Sequence, residues 1–316
     1  MQGVTDRETQ SEVVVAGATG YIGHLLCERL LEAGYAVRAL ARTPERAGDL
    51  EQAGCEVRKA DMLEPESLPA ALQGARVAYY LVHSMGRGTT GDFVELDRRA
   101  ALNFAEAAAR AGIERIIYLG GLAEGGSEHL ASRHATAEYL ASTGVPVTYF
   151  QAAAVIGAGS ESYRTLYWLV KRLPLMVTPK WTSTRTQPIA VRDVIEYLVA
   201  AADLDAAKNR TIQIGGPDVT TYGGMFTELA DAMGKKPPLQ LKVPFLTPKL
   251  SSLWIGLVTP VDAGVARPLI EGLIVETVVS DPSGMDLFDV RPTEISEAMR
   301  LALIEHLRLE VSSSHS

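Results

Sequence analysis

Three glycines, Gly17, Gly20 and Gly23, recur at every third position in "VVVAGATGYIGHLL", where an apolar run gives way to a helical one. Glycine permits a tight turn and lets backbone N–H groups approach a pyrophosphate. It also lets a helix pack close to a strand, at an end whose partial charge is positive. The chemistry this spacing suits is dinucleotide binding, with Thr19, Tyr21 and Ile22 completing the turn. The pattern departs by one position from Gly-x-Gly-x-x-Gly. The competing reading is a glycine-rich turn that only packs a helix on a strand.

A second clue follows "YAVRAL". An acidic residue there would hold the ribose 2′-hydroxyl of NAD, but the chain runs on into Ala41, Arg42, Thr43 and Pro44. The fixed fork of donors on Arg42, assisted by Arg38 or Arg46, suits a 2′-phosphate. NADP(H) is therefore favoured over NAD(H), although a solvated surface arginine gives the same sequence. Asp61, followed by Met62, ends "CEVRKAD" and either caps the adenine side or holds a plain turn. Leu81, Val82, His83 and Ser84 end "RVAYYLVHS". Beyond the carboxyl end of a parallel strand, His83 and Ser84 would stand near the nicotinamide half and touch ribose or substrate. A turn filled by small polar residues is the alternative.

The elements that must position these groups alternate. Strands are expected at "EVVVAG", "YAVRALA", "CEVRKAD", "RVAYYLVH", "RIIYLGG" and "PVTYFQAAAVIG". Between them lie an amphipathic helix ending at Gly34, a long helix from Asp92 through Phe93 and Phe104 to Gly112, and a helix over 131–142. Short apolar strands separated by helices predict an α/β fold, a Rossmann-type doubly wound parallel sheet. Residues 10–158 form the expected NAD(P)-binding domain, with 187–216 adding to its sheet. Residues 159–186 and 217–316 form a smaller substrate-side region, and the proline-rich stretch from Lys235 does not pair readily with the sheet.

Composition narrows the function classes. The chain has 316 residues, 47% of them apolar and 22% charged, with a net charge of -8 that is not gathered in one block. That argues against a nucleic-acid footprint. No apolar run reaches the ~18 residues of a membrane span, and the polar N-terminus lacks a signal pattern. With only Cys27 and Cys55, a reduced, cytoplasmic protein is expected. No histidine, cysteine or carboxylate cluster has metal-ligand spacing, and neither a Gly-x-Ser-x-Gly elbow nor a P-loop is present.

With "GARVAYYLVHS", "ERIIYLGGL", "TGVPVTYFQAAAVIGAGS" and "QPIAVRDVIEYL", the chain resembles the atypical and extended short-chain dehydrogenase/reductase superfamily over roughly residues 12 to 232. The nearest branch is similar to the NmrA-like NAD(P)-binding proteins. The resemblance implies a serine after the fifth strand and a Tyr-x-x-x-Lys pair on the next helix. Here the strand ends Tyr118-Leu119-Gly120-Gly121, so glycine fills the serine position, and His129 and Arg133 fall in the Tyr and Lys slots.

Histidine can act as a general acid near neutral pH. Arginine can anchor ribose but cannot relay a proton. His129, Arg133 and His83 are thus the candidate catalytic residues, with Arg133 also a cofactor ligand. The alternative is that His129 and His134 are solvated near a helix start. Tyr163, Tyr167 and Trp168 line an expected apolar pocket for a small apolar or aromatic substrate, although aromatics at helical spacing are also core residues. Gln151 and Ser84 complete that pocket, Gln151 standing where relatives often carry arginine.

The resemblance implies an NADP(H)-dependent oxidoreductase acting on an apolar carbonyl, quinone or conjugated double bond. Two other readings follow from the missing Ser/Tyr/Lys set. One is a non-catalytic NADP(H)-binding redox sensor or assembly module; the other is a non-redox isomerase, dehydratase or cyclase. No nucleic-acid or membrane partner is expected, and a homodimer is an admissible assembly.

Overall fold

The computed structural model describes residues 12–82, 92–122, 128–178, 180–242 and 274–313. A seven-stranded parallel sheet forms its centre. Its strands are β1 (Val13–Ala16), β2 (Val37–Ala41), β3 (Glu56–Lys59), β4 (Val77–Tyr80), β5 (Arg115–Gly121), β6 (Val147–Ala152) and β11 (Arg210–Ile214). Their order is β11-β6-β5-β4-β1-β2-β3. The chain therefore leaves β1 toward β2 on one side and returns to β4 on the other, with Ala16 level with both Leu40 and Tyr80. A crevice opens at such a reversal, beyond the carboxyl ends of the strands.

The two faces of the sheet bury different helices. On one face Val13, Val15, Tyr79, Ile117, Phe150 and Ile212 pack with Leu26 and Leu30 of α1 (Tyr21–Glu32), Leu50 of α2 (Gly48–Ala53), and Val194 and Leu198 of α7 (Val191–Ala200). On the other, Val14, Tyr80, Ile116, Tyr118 and Tyr149 pack with α3 (Leu68–Leu72), with Phe104 and Ala108 of α4 (Asp92–Ala111), and with Leu140 of α5 (Glu128–Ala141). Burial on both faces explains the near-continuous apolar strand sequences. A Leu26→Ala or Phe104→Ala change would leave a cavity costing about 3–5 kcal/mol.

A third core joins α6 (Glu161–Arg172), α8 (Tyr222–Ala232) and the last helix, α9 (Ile295–Ser313). The Ser160 side chain caps α6 by accepting from the Tyr163 N–H, and Thr221 caps α8 through the Gly224 N–H. Short two-stranded ribbons flank this core. They pair β7 (Val155–Ile156) with β10 (Ile189–Ala190), β9 (Arg185–Thr186) with β12 (Thr220–Thr221), and β8 (Leu175–Thr178) with β13 (Leu239–Lys242).

One strand expectation needs correction. "PVTYFQAAAVIG" is not one strand: β6 stops at Ala152, and β7 leaves the main sheet to pair with β10. Among the described residues, the stretch after Lys235 stays outside the main sheet and pairs, through β13, with β8. The two cysteines, distant in sequence, are free buried thiols that share the first core.

Candidate functional site

The glycine turn lies in the crevice between β1 and β4. Gly17 sits at φ +88°, and a Cβ on it would stand 2.7 Å from the Leu81 carbonyl oxygen. A Cβ on Gly23 would collide with the Gly17 carbonyl, and one on Gly20 would come within 3.3 Å of the same oxygen. Only glycine brings the three backbones this close. Gly20 caps α1 in an extended conformation, with no side-chain cap and no acidic residue in the first turn. The Tyr21, Ile22 and Gly23 amides therefore have no partner within the helix. A pyrophosphate meets the need of those N–H groups, so the residues present fit an NAD(P) cofactor.

Around this cradle the sequence-predicted residues divide. Thr19 is exposed, while Ile22 and Leu81 lean on the first core and Val82 on the second. The Leu81 N–H bonds the Ala16 carbonyl at 2.9 Å and so closes the β1–β4 crevice. The Tyr21 side chain turns away from the turn: its hydroxyl donates to both carboxylate oxygens of Glu305 at 3.2 Å, and its ring leaves no room for a Cβ at Gly159. Burial, followed by the Glu305 charge, pushes this phenol well above its ordinary range. Tyr21 thus serves the cradle through its backbone and ties the turn to α9.

Arg42, just past β2, is exposed and makes no ion pair or hydrogen bond among the described residues. Arg46 is exposed on the following short 3-10 turn. Arg38 does not assist them. It is buried, its Nε donates to Glu56 at 2.8 Å, and its Nη1 donates to the Ala71 and Gln73 carbonyls. Its position on β2 points it into the second core. Asp61 holds a turn: its Oδ1 accepts from the Leu63 N–H at 2.9 Å, while Ser67 Oγ accepts from the Asp61 N–H. Met62 is buried, and its carbonyl accepts from Asn103.

His83 and Ser84 lie outside the described residues, as does the side chain of His129. Arg133 on α5 is half-buried. Burial opposes its charge, but the neighbouring Tyr118 phenol and Asp97 outweigh that, and the guanidinium is held above its usual range. Tyr118 also donates its hydroxyl to the Arg133 carbonyl at 3.2 Å.

The neighbouring His134 is half-buried rather than fully solvated. Its ring meets Tyr149 edge-on, its Nδ1 lies 3.1 Å from the Tyr149 hydroxyl, and Gln151 Nε2 is 3.3 Å from the same nitrogen. Tyr80, Tyr118 and Tyr149 stand level on β4, β5 and β6 and form a row of phenols under α4 and α5. Sequence reasoning passed over Tyr118 and Tyr149. The available signal was "YY", "IIY" and "VTY" placing a tyrosine on the same face of three adjacent strands.

The aromatic trio of α6 is largely interior. Tyr163 and Tyr167 are buried in the third core, Tyr167 with its ring centroid 3.9 Å from that of His306 on α9. Of the two readings of these aromatics, pocket lining or core, core packing describes these two rings. Trp168 is half-buried beneath the Lys171 and Arg172 cations. The Tyr163 hydroxyl is buried without a hydrogen-bond partner among the described residues. No group of three or more metal-type ligands occurs among the described residues. No helix among them is long and apolar enough to cross a membrane.

Residues 17–168 match the NAD(P)H-binding family model. The chain is 26% identical over 210 residues to the photosystem II assembly factor Ycf39 of Guillardia theta, across 65% of this chain and 64% of that protein. The match thus spans less than two thirds of that relative's length. It is 28% identical over 242 residues to the ceramide reductase of Caulobacter vibrioides, across 73% of this chain and 74% of that protein. The fold is shared with the triphenylmethane reductase of Citrobacter complexed with NADP(H). There the TM-score is 0.71 at 22% identity, over 92% of this chain and 99% of the other. The glycine cradle, the sheet order and the match of residues 17–168 to the NAD(P)H-binding family model agree on a Rossmann-type fold.

Proposed function

We propose that the protein is an NADP(H)-dependent oxidoreductase that passes a hydride between nicotinamide C4 and an apolar carbonyl, quinone or conjugated double bond. The observation that carries this reading is Arg42, exposed and without a partner among the described residues at the end of β2, beside a glycine cradle that admits only backbone. An arginine fork there pairs with a 2′-phosphate, and no carboxylate stands at the end of β2 to favour the free ribose hydroxyl.

The reduced nicotinamide supplies the hydride when bound. The chain's own part is to hold geometry: the α1 amides and the glycine turn fix the pyrophosphate, Arg42 fixes the adenosine end, and Arg133 anchors the nicotinamide ribose. The test is NADPH oxidation across a panel of quinones, enones and ketones. Turnover with one class supports the reading, and no oxidation with any of them overturns it.

A second reading, a non-catalytic NADP(H)-binding assembly or sensor module, is favoured by glycine in the serine position and by the similarity to a photosystem II assembly factor. Cofactor binding at micromolar level without turnover, with a partner affinity that differs between NADPH and NADP⁺, would support it.

A further inference from the structure

Gly120, the residue before Gly121 in the serine position, borders space that is already filled. A Cβ on Gly120 would stand 2.8 Å from a ring carbon of Tyr149 and 2.9 Å from its hydroxyl oxygen, too close for either to stay. Gly120 pairs in register with Gln151, and Tyr149 pairs with Tyr118. The Tyr149 ring therefore leans two residues toward the carboxyl end of the sheet. Its hydroxyl ends at the level of Gly120, near the end of β5.

The same level is the cofactor side of the sheet. Tyr80 pairs with Tyr118, and the next residue on β4, Leu81, is the one whose carbonyl closes over Gly17. We propose that Tyr149, backed by His134, is the proton-donating pair of this site, with Gly120 retained as glycine to admit the phenol. The assignment deepens the oxidoreductase reading and rests on it.

The step balances as follows for a ketone. The carbonyl carbon takes the hydride supplied by NADPH, which is oxidised to NADP⁺, and the C=O π pair moves onto oxygen. That oxygen takes the Tyr149 proton to give the alcohol, and the phenolate recovers a proton from the His134 imidazolium. His134 is refilled from water. The Nδ1 atom at 3.1 Å accepts from the phenol when the imidazole is neutral and donates to it when Nδ1 carries a proton, so one contact serves both directions of the reaction. Burial, followed by the nearby Tyr118, keeps the phenol protonated through the neutral range, while Gln151 and Arg133 pull the other way. The acid is therefore loaded when substrate arrives.

Tyr149→Phe keeps the ring that fills the space over Gly120 and removes only the hydroxyl. The panel above is run with wild type, Tyr149→Phe and His134→Asn, alongside NADPH titration and thermal melting. The proposal expects the Tyr149→Phe kcat to fall about 100-fold or more, with the NADPH Kd and the melting temperature near wild type, and a smaller fall for His134→Asn.

A readout independent of turnover uses protein carrying ¹³Cζ-tyrosine, with NADP⁺ and the best panel substrate bound as a dead-end complex. The resonance absent from Tyr149→Phe should shift on substrate addition. A Tyr149→Phe protein that keeps half or more of wild-type kcat, or a Tyr149 resonance that substrate does not move, overturns the assignment and leaves the oxidoreductase reading standing. A wild type that oxidises NADPH with no member of the panel overturns both.

Discussion

The two ends of the crevice are built by opposite means. At the β1–α1 turn the site is made of backbone: three glycines within one turn, free amides, and side chains such as Tyr21 directed elsewhere. At the β5–α5–β6 end it is made of side chains drawn from α5 and β6, with Tyr149, His134 and Gln151 converging above a glycine of β5. A backbone site is specified by what is missing and tolerates almost no added atom. A side-chain site can exchange its members, provided a hydroxyl and a proton store remain in place.

The contrast can be broken most severely at the backbone end. Gly23→Val drives a side chain into the Gly17 carbonyl, and NADPH affinity measured by fluorescence titration should fall beyond detection, about 100-fold or more, because the turn must open. Retained binding would mean that the pyrophosphate does not use this turn.

At the side-chain end, Gly120→Ala should push the Tyr149 ring off its place. Thermal or denaturant unfolding should show a loss of about 1–3 kcal/mol from overpacking, and turnover should drop while NADPH affinity holds. Equal losses of affinity and turnover would erase the distinction between the two ends.

Arg42→Ala should raise the NADPH Kd roughly 10- to 100-fold, the value of a charge-assisted contact of about 1.5–3 kcal/mol, and leave NADH unchanged. Parallel titrations with the two nucleotides measure it.

Away from both ends, Asp203→Asn should matter least. Its carboxylate accepts from Tyr35 and Arg76 at 2.5 Å and is held below its ordinary range, first by the Tyr35 hydroxyl and then by Arg76. The stability it adds is present above the ordinary aspartate value of about 3.9 and is lost as pH falls through the lowered one. The carboxylate is largely exposed, so solvent screening limits the effect to about 1 kcal/mol or less. Melting curves of wild type and variant should converge at acid pH.

The sequence made the backbone end legible and the side-chain end mostly not, for a physical reason. Glycine spacing, strand apolarity and helix stops are local signals, and they placed the turn, the parallel sheet and α4 near their observed bounds. Arg38 and Arg42 look alike in sequence, but Arg38 lies within β2 and is buried against Glu56, whereas Arg42 lies past the end of the strand, in solvent. Tyr163 and Tyr167 read as pocket aromatics because α9, which covers them, arrives from more than a hundred residues away in the chain. Tyr149 escaped notice because its partners, Gly120 and His134, sit on a neighbouring strand and a helix. Their juxtaposition depends on strand register rather than on spacing along the chain.

Hydride transfer at this crevice is the central claim, and isotope transfer tests it most directly. Each of the two C4-deuterated forms of NADPH is incubated with the protein and the best substrate of the panel, and the product is examined by mass spectrometry. One diastereomer should deliver its deuterium to product carbon and the other should not. Product without label from either form, or no product at all, would contradict the account.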